Sequence, residues 1–163
     1  MISDAPESFS RLTIRSANND DCQRVANLVF SVLAEFGLEP NPETTDADLK
    51  DLEGNYIKRG GLFEVIEDGQ ANLLGSVGLY PINATTCELR KMYFVPSARG
   101  LGLGKCVLTR AIDQARALGF SQIVLETSSK LVAANRLYTR FGFELMTSDH
   151  LASRADQAYK LDL

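Results

Sequence analysis

The sequence predicts one α/β (α+β) domain, a mixed, mostly antiparallel central sheet of six to seven strands flanked by about four helices. Three observations predict it. Residues 61–82 hold two apolar runs around an Asp-Gly pair, the pattern of an antiparallel hairpin. A helical stripe at 103–118 lies between two strand-like segments, 87–95 and 121–127, and such a connection makes its strands parallel and right-handed. The 163 residues contain no repeat, low-complexity tract or linker, and their number suits a single domain.

Taken in order, residues 1–10 read as a flexible terminus and 11–163 as the domain. "RLTIR" (11–15) alternates apolar and polar residues as a short strand does. Cap-forming residues and acids then precede Val25, Leu28, Val29, Val32 and Leu33, one face of a helix that Gly37 ends. "LEPNPETTDADLKDL" has two prolines and a short amphipathic turn, so it reads as a loop and a small helix. "GLFEVIED" (61–68) and "LLGSVGLYPI" (73–82) form the hairpin through a turn at Asp68-Gly69, and "CELRKMYFV" (87–95) adds a third strand that Pro96 ends. Apolar residues at 103, 107, 108, 111, 112, 115 and 118 make the next helix, closed by Gly119. "SQIVLET" (121–127) is a buried-type strand, and "LVAANRLYTRF" (131–141) is an amphipathic helix stopped by Gly142. "FELM" and "AYKLDL" read as the final strands.

Composition narrows the function. An apolar share of 45% and a charged share of 23% are those of an ordinary globular protein. No apolar run approaches the ~20 residues that span a bilayer, and the start lacks the apolar core of a secretory signal. The expectation is a cytoplasmic protein without a membrane partner. A net charge of −4 predicts no general attraction to nucleic acid. Cys22, Cys87 and Cys106 are widely spaced and accompanied by the single His150, a poor set for zinc, so no metal is expected and the thiols read as buried and free.

The densest motif is "VPSARGLGLGKCVL" (95–108). A P-loop needs a glycine at 99 and a hydroxyl residue at 106, where Arg99 and Cys106 stand. A dinucleotide fingerprint needs a third glycine where Lys105 or Val107 stands. What fits is R-x-x-G-x-G from Arg99 to Gly104, a turn whose backbone amides and following helix N-terminus suit a pyrophosphate. A tight glycine turn into a helix is the plainer alternative.

The loop is not alone. Val95-Pro96 precedes it, and "ANRLYTRFGF" follows one strand and one helix later. That order resembles the GCN5-related N-acetyltransferase (GNAT) superfamily, across Arg11 to Leu163 and most strongly from Glu88 to Phe143. The resemblance implies the GNAT fold and acetyl-CoA as cosubstrate. It assigns Arg99, Gly100, Leu101, Gly102, Leu103, Gly104 and Lys105 to the pyrophosphate, and the backbone of Met92, Phe94 and Val95 to the pantetheine arm. It also implies a sheet splayed open between the strands at 87–95 and 121–127. Many members carry an asparagine seven residues before the helix tyrosine; Leu131 stands there, and Asn135 is the expected substitute unless it is only a polar helix residue.

Acyl transfer from a thioester to an amine needs a neutral amine, a stabilised carbonyl oxygen and a proton for the departing thiolate. A phenol of pKa about 10 suits the last task, and the resemblance gives it to Tyr138; the residue also reads as a packed helix aromatic. Family members with a glutamate base place it about eleven residues before the loop arginine, which is Glu88 here. A strand carboxylate paired with Arg90 is the other reading of Glu88, and ordered water is another route for the proton. Glu126 is expected to face the substrate cleft or cap its loop, and His150 to lie at the surface. The resemblance places the acceptor, a primary amine of a small molecule or peptide, near residues 30–60 and 145–158. Glu35, Glu39, Glu43, Asp46 and Asp48 there suit a cationic amine or form a solvated acidic face. A homodimer is one assembly that the resemblance allows, and a non-catalytic acetyl-CoA-binding sensor or interaction module is the alternative function.

Overall fold

The computed structural model describes residues 11–163, so the terminus expected to be flexible lies outside the described residues. β1 (Thr13–Ser16), β2 (Leu62–Glu67), β3 (Leu73–Pro81), β4 (Thr86–Phe94), β5 (Gln122–Thr127), β6 (Glu144–Met146) and β7 (Gln157–Asp162) form one sheet in the order β1-β2-β3-β4-β5-β7-β6. Every neighbouring pair is antiparallel except β4–β5. The parallel pair is the one joined by a full helix, as expected. The hairpin turn is longer than Asp68-Gly69. The Asp68 carboxylate accepts the Gln70 and Asn72 amides at 2.9 Å, and Ala71 takes a positive φ of 61°. An Asp side chain that mimics a backbone turn sets this loop.

α1 (Cys22–Glu35) continues from a short turn, Asn19–Asp21, that carries a reciprocal cap: Asn18 Oδ1 accepts from Asp20 N, and Asp21 Oδ2 accepts from Asn18 N. α2 (Leu103–Ala117) and α3 (Val132–Arg140) cover one face of the sheet, where Leu89, Val107, Leu108, Ile123, Leu125 and Tyr138 share a core. α1 and two short helical turns, Ala47–Lys50 and Glu53–Ile57, cover the other face over Val29, Leu52, Tyr56 and Phe63. Of the three thiols only Cys87 is buried, and burial raises its pKa to about 12. Cys106 is exposed on the outward side of the α2 stripe, and Cys22, at the first position of α1, is half-buried against the core on the α1 face. Among the described residues no helix is long and apolar enough to cross a membrane.

Two irregularities in the middle of the sheet make the site. β4 and β5 pair only at Thr86–Gln122, Cys87–Ile123 and Glu88–Val124. Beyond that point β4 stays on β3 up to Phe94, and β5 stays on β7 up to Thr127. Both strands are held from outside while they diverge, so a wedge opens between them. The second irregularity is a bulge in β4. Lys91 takes a φ of 56°, the register against β3 slips between Ser76 and Gly78, and buried Ser76 donates its hydroxyl to Lys91 O at 2.7 Å. One extra residue reverses the alternation of a strand. Before the bulge Cys87 and Leu89 face α2; after it Met92 and Phe94 do, while Tyr93 turns to the α1 side.

Candidate active site

The wedge is the floor of a cleft of about 1020 Å³. The glycine loop and the start of α2 close one end, α3 forms a side, and the segments at 44–45 and 150–155 close the other end.

At the loop end, a turn at Pro96–Ala98 leads to Gly100 and Gly102, with φ of 77° and 79°. A Cβ at either glycine would meet nothing within 4 Å, so backbone conformation, not space, requires glycine there. Gly102 caps α2 directly, which leaves the amides of the first helical turn without intrahelical acceptors and aimed at the cleft mouth. Gly100, Gly102, Leu103 and Gly104 line the cleft; Leu101 and Lys105 do not, and Lys105 is exposed. Arg99 lines it with its guanidinium already engaged. The group donates to Phe94 O at 3.1 and 2.8 Å, pairs with Glu35 from the end of α1, and lies 5.4 Å from the Phe36 ring centroid.

Three of the expected cofactor residues have polar groups engaged within the chain, although Phe94 still lines the cleft. The Phe94 carbonyl is the acceptor for Arg99, so it is not free. Val95 donates its amide to Leu74 O at 2.9 Å and accepts from Ala98 N at 3.0 Å, which extends the β3–β4 ladder instead of facing the wedge. The Asn135 amide bridges the β5–α3 junction: it donates to Ser128 O at 2.9 Å and accepts from Thr127 Oγ1 at 2.9 Å, outside the cleft. Met92 remains on the cleft wall.

In the middle of the cleft stand Glu88, Glu126, Tyr93 and Tyr138. Glu88 is the last residue of β4 paired to β5, at the vertex of the wedge. Arg90 pairs with its carboxylate and stacks 3.8 Å above the Tyr80 ring. Glu126 lies two residues beyond the partner of Glu88 and so shares its face. Burial pushes the Glu126 carboxyl up, the Ala152 amide at 3.3 Å lowers it, and the nearby Glu88 charge raises it; the sum is a raised pKa. Among the described residues Glu126 forms no salt bridge. Tyr138 is 6% exposed, with Phe143 and Tyr159 at centroid distances of 5.6 and 6.3 Å. Burial first, then the neighbouring Tyr93, raises its phenol pKa. His150 is exposed yet lines the cleft rim.

The acidic early segment divides: Glu35, Glu39 and Glu43 are exposed, as a solvated face would have them, whereas Asp46 and Asp48 are buried. Asp46 has a fully buried side chain that accepts from both Arg154 guanidinium nitrogens at 2.7 Å, from Lys91 Nζ at 2.5 Å and from the Asn41 amide at 2.8 Å. Burial alone would raise its pKa; the two cations and the amide outweigh that and hold it well below the usual carboxylate range. Asp48 accepts from the Tyr56 hydroxyl and lies 3.6 Å from Lys91 Nζ. Glu35 is on Arg99, and Glu43 is on Lys50. Sequence reasoning missed this junction. Its partners are 45 and 108 residues from Asp46, and the only local trace is the Arg90-Lys91 doublet, which breaks the alternation of β4.

Residues 26–143 match the Acetyltransferase (GNAT) family. The chain is 37% identical over 147 residues to the uncharacterized N-acetyltransferase YjgM of Escherichia coli K12, covering 86% of this chain and 84% of that protein. A GNAT-family acetyltransferase of Staphylococcus aureus Mu50 superposes with a TM-score of 0.86 at 23% identity, over 93% of this chain and 98% of that one. The structure of yncA from Salmonella typhimurium with its cofactor acetyl-CoA superposes with a TM-score of 0.72 at 24% identity, over 94% of both chains. Split sheet, glycine loop and sequence agree: this chain is an acyltransferase of the GNAT family, whose general reaction is acetyl-CoA-dependent N-acetylation.

Proposed function

We propose that the protein transfers the acetyl group of acetyl-CoA directly to a primary amine, with Glu126 taking the amine's proton and Tyr138 protonating the leaving sulfur. The observation that carries this reading is the wedge, where one glycine-capped helix N-terminus, two carboxylates and a buried phenol border the same cleft. The donor supplies an acyl group already activated as a thioester. The chain supplies the anion site at Gly100–Gly104, a strand edge for the pantetheine arm at Met92, and proton handling. Arg99 acts by bracing the loop through Phe94 O and Glu35, and Lys105 adds positive charge at the helix start.

Between the two carboxylates, ion pairing favours Glu126 as the base. Glu88 is paired with Arg90, whereas Glu126 has no cationic partner among the described residues and a raised pKa, the condition that suits a proton acceptor. Glu88 then holds Arg90 and repels a second negative charge beside it. Glu126→Gln is expected to lower kcat/KM by about 10²-fold and to flatten the rising limb of the pH–rate profile. Because the Glu126 pKa is raised, the wild-type limb should lie above the range of an ordinary glutamate. Glu88→Gln should keep a rising limb and shift it to lower pH, since a like charge is gone. A profile that loses its limb in Glu88→Gln instead makes Glu88 the base.

The reaction itself is tested by thiol release on incubation with acetyl-CoA and a panel of amines, with mass detection of the acetylated product. Product from at least one amine is expected. Tight acetyl-CoA binding without product from any amine would favour the non-catalytic sensor.

A further inference from the structure

Three features of the cleft's far end were built by no motif. The segment 150–155 rests on the catalytic centre, because the Ala152 amide donates to Glu126 Oε2 at 3.3 Å. The same segment is fastened across the cleft to the segment 39–46: Arg154 grips Asp46 with two 2.7 Å bonds, Arg154 Nη1 reaches Glu39 O at 3.4 Å, and Asn41 Nδ2 reaches Ser153 Oγ at 3.3 Å. The node is anchored from below by Lys91, which the β4 bulge turns toward Asp46. Both segments also supply wall, through Thr44 and Thr45 on one side and Leu151 and Ala152 on the other.

A polypeptide acceptor needs room above the reacting nitrogen for the rest of its chain, on one side for an N-terminal amine and on both for a lysine. Here the two segments meet over the acceptor half. A buried carboxylate bonded by two cations does not let go as an exposed ion pair does, because parting would strand charges out of water. The roof is therefore fixed in the resting protein.

We infer that the Asp46–Arg154–Lys91 junction is a specificity device: it holds the two acceptor-side segments together as a roof, so that the enzyme acetylates a small free amine and not an amine carried by a polypeptide. This rests on the acetyl-transfer reading above. Arg154 and Asp46 are positioning residues, acting on the acceptor through the segments they join.

The test compares a panel of small free amines with short peptides bearing a free N-terminus or a lysine, using intact protein and acetyl-CoA. For the wild type, the best small amine is expected to exceed every peptide by about 100-fold in kcat/KM. Arg154→Met should raise the KM for that small amine about tenfold, with the KM for acetyl-CoA within about twofold, and should narrow the gap to peptides. Arg154→Lys, which keeps a cation on Asp46, should restore most of the loss. The exposed pair is probed separately by Asn41→Ala with Ser153→Ala, which loosens the seam without touching the buried node and should move the acceptor KM in the same direction. Peptides acetylated as well as any small amine would overturn the proposal while leaving acetyl transfer intact. So would an acceptor KM that Arg154→Met and the seam variant both leave unchanged, or an equal change in both KM values. Failure of every amine, small or peptide, would instead overturn the transfer reading and the roof's role with it.

Discussion

Tyr138→Phe is expected to lower kcat by about 10²- to 10⁴-fold, the range for losing a positioned general acid, while the KM for acetyl-CoA stays within about twofold. The substitution removes one oxygen and keeps the ring that packs against Phe143 and Tyr159, so the fold should be unaffected. Burial and the neighbouring Tyr93 raise the phenol pKa, so Tyr138 carries its proton throughout the neutral range. A structural aromatic would show the opposite pattern, with kcat preserved. Pre-steady-state release of thiol separates the chemical step from product release and checks that the loss lies in chemistry.

Asp46→Asn is expected to cost about 3–5 kcal/mol of stability, because it leaves Lys91 and Arg154 buried beside a neutral amide. Their side chains are 4% and 13% exposed, and Asp46 itself is fully covered. For a chain of this length that corresponds to a fall in Tm of roughly 10 °C. Glu43→Gln is the control. Its pair with Lys50 is exposed at both ends, so its loss should leave Tm almost unmoved, in keeping with the ~0–1 kcal/mol of surface pairs. The pH dependence follows from the lowered Asp46 pKa. The carboxylate's contribution is fully present above the ordinary aspartate pKa and is lost as pH falls through the lower folded value. Thermal denaturation between neutral and acid pH should therefore show the wild type and Asp46→Asn converging as the pH drops.

The two experiments probe different layers. Tyr138 stands on α3, whose amphipathic stripe and Gly142 stop are local, and its neighbours at 134–143 form a run that one can quote from the chain. Asp46 sits in a segment with two prolines and no clear period, where local sequence says only "loop". The helices, the hairpin and the parallel crossover were legible because hydrophobic periodicity and chain connectivity are local properties. So was the glycine loop, because only glycine takes the backbone angles of 100 and 102 at low cost.

By itself, then, the sequence determined the strand and helix succession, the glycine turn into α2 and the cysteine-poor, acidic composition. The tertiary structure decided where β4 leaves β5, that a bulge at Lys91 puts two successive cations on one face, and that among the described residues Glu126 has no salt bridge while Glu88 is held by Arg90. It also took Val95 and Asn135 out of the cleft by spending their hydrogen bonds on the scaffold. The physical reason is range. Period and turn chemistry act over a few residues, whereas ion pairing and desolvation act between groups that only the folded chain brings together, as Asp46 and Arg154 are across 108 positions.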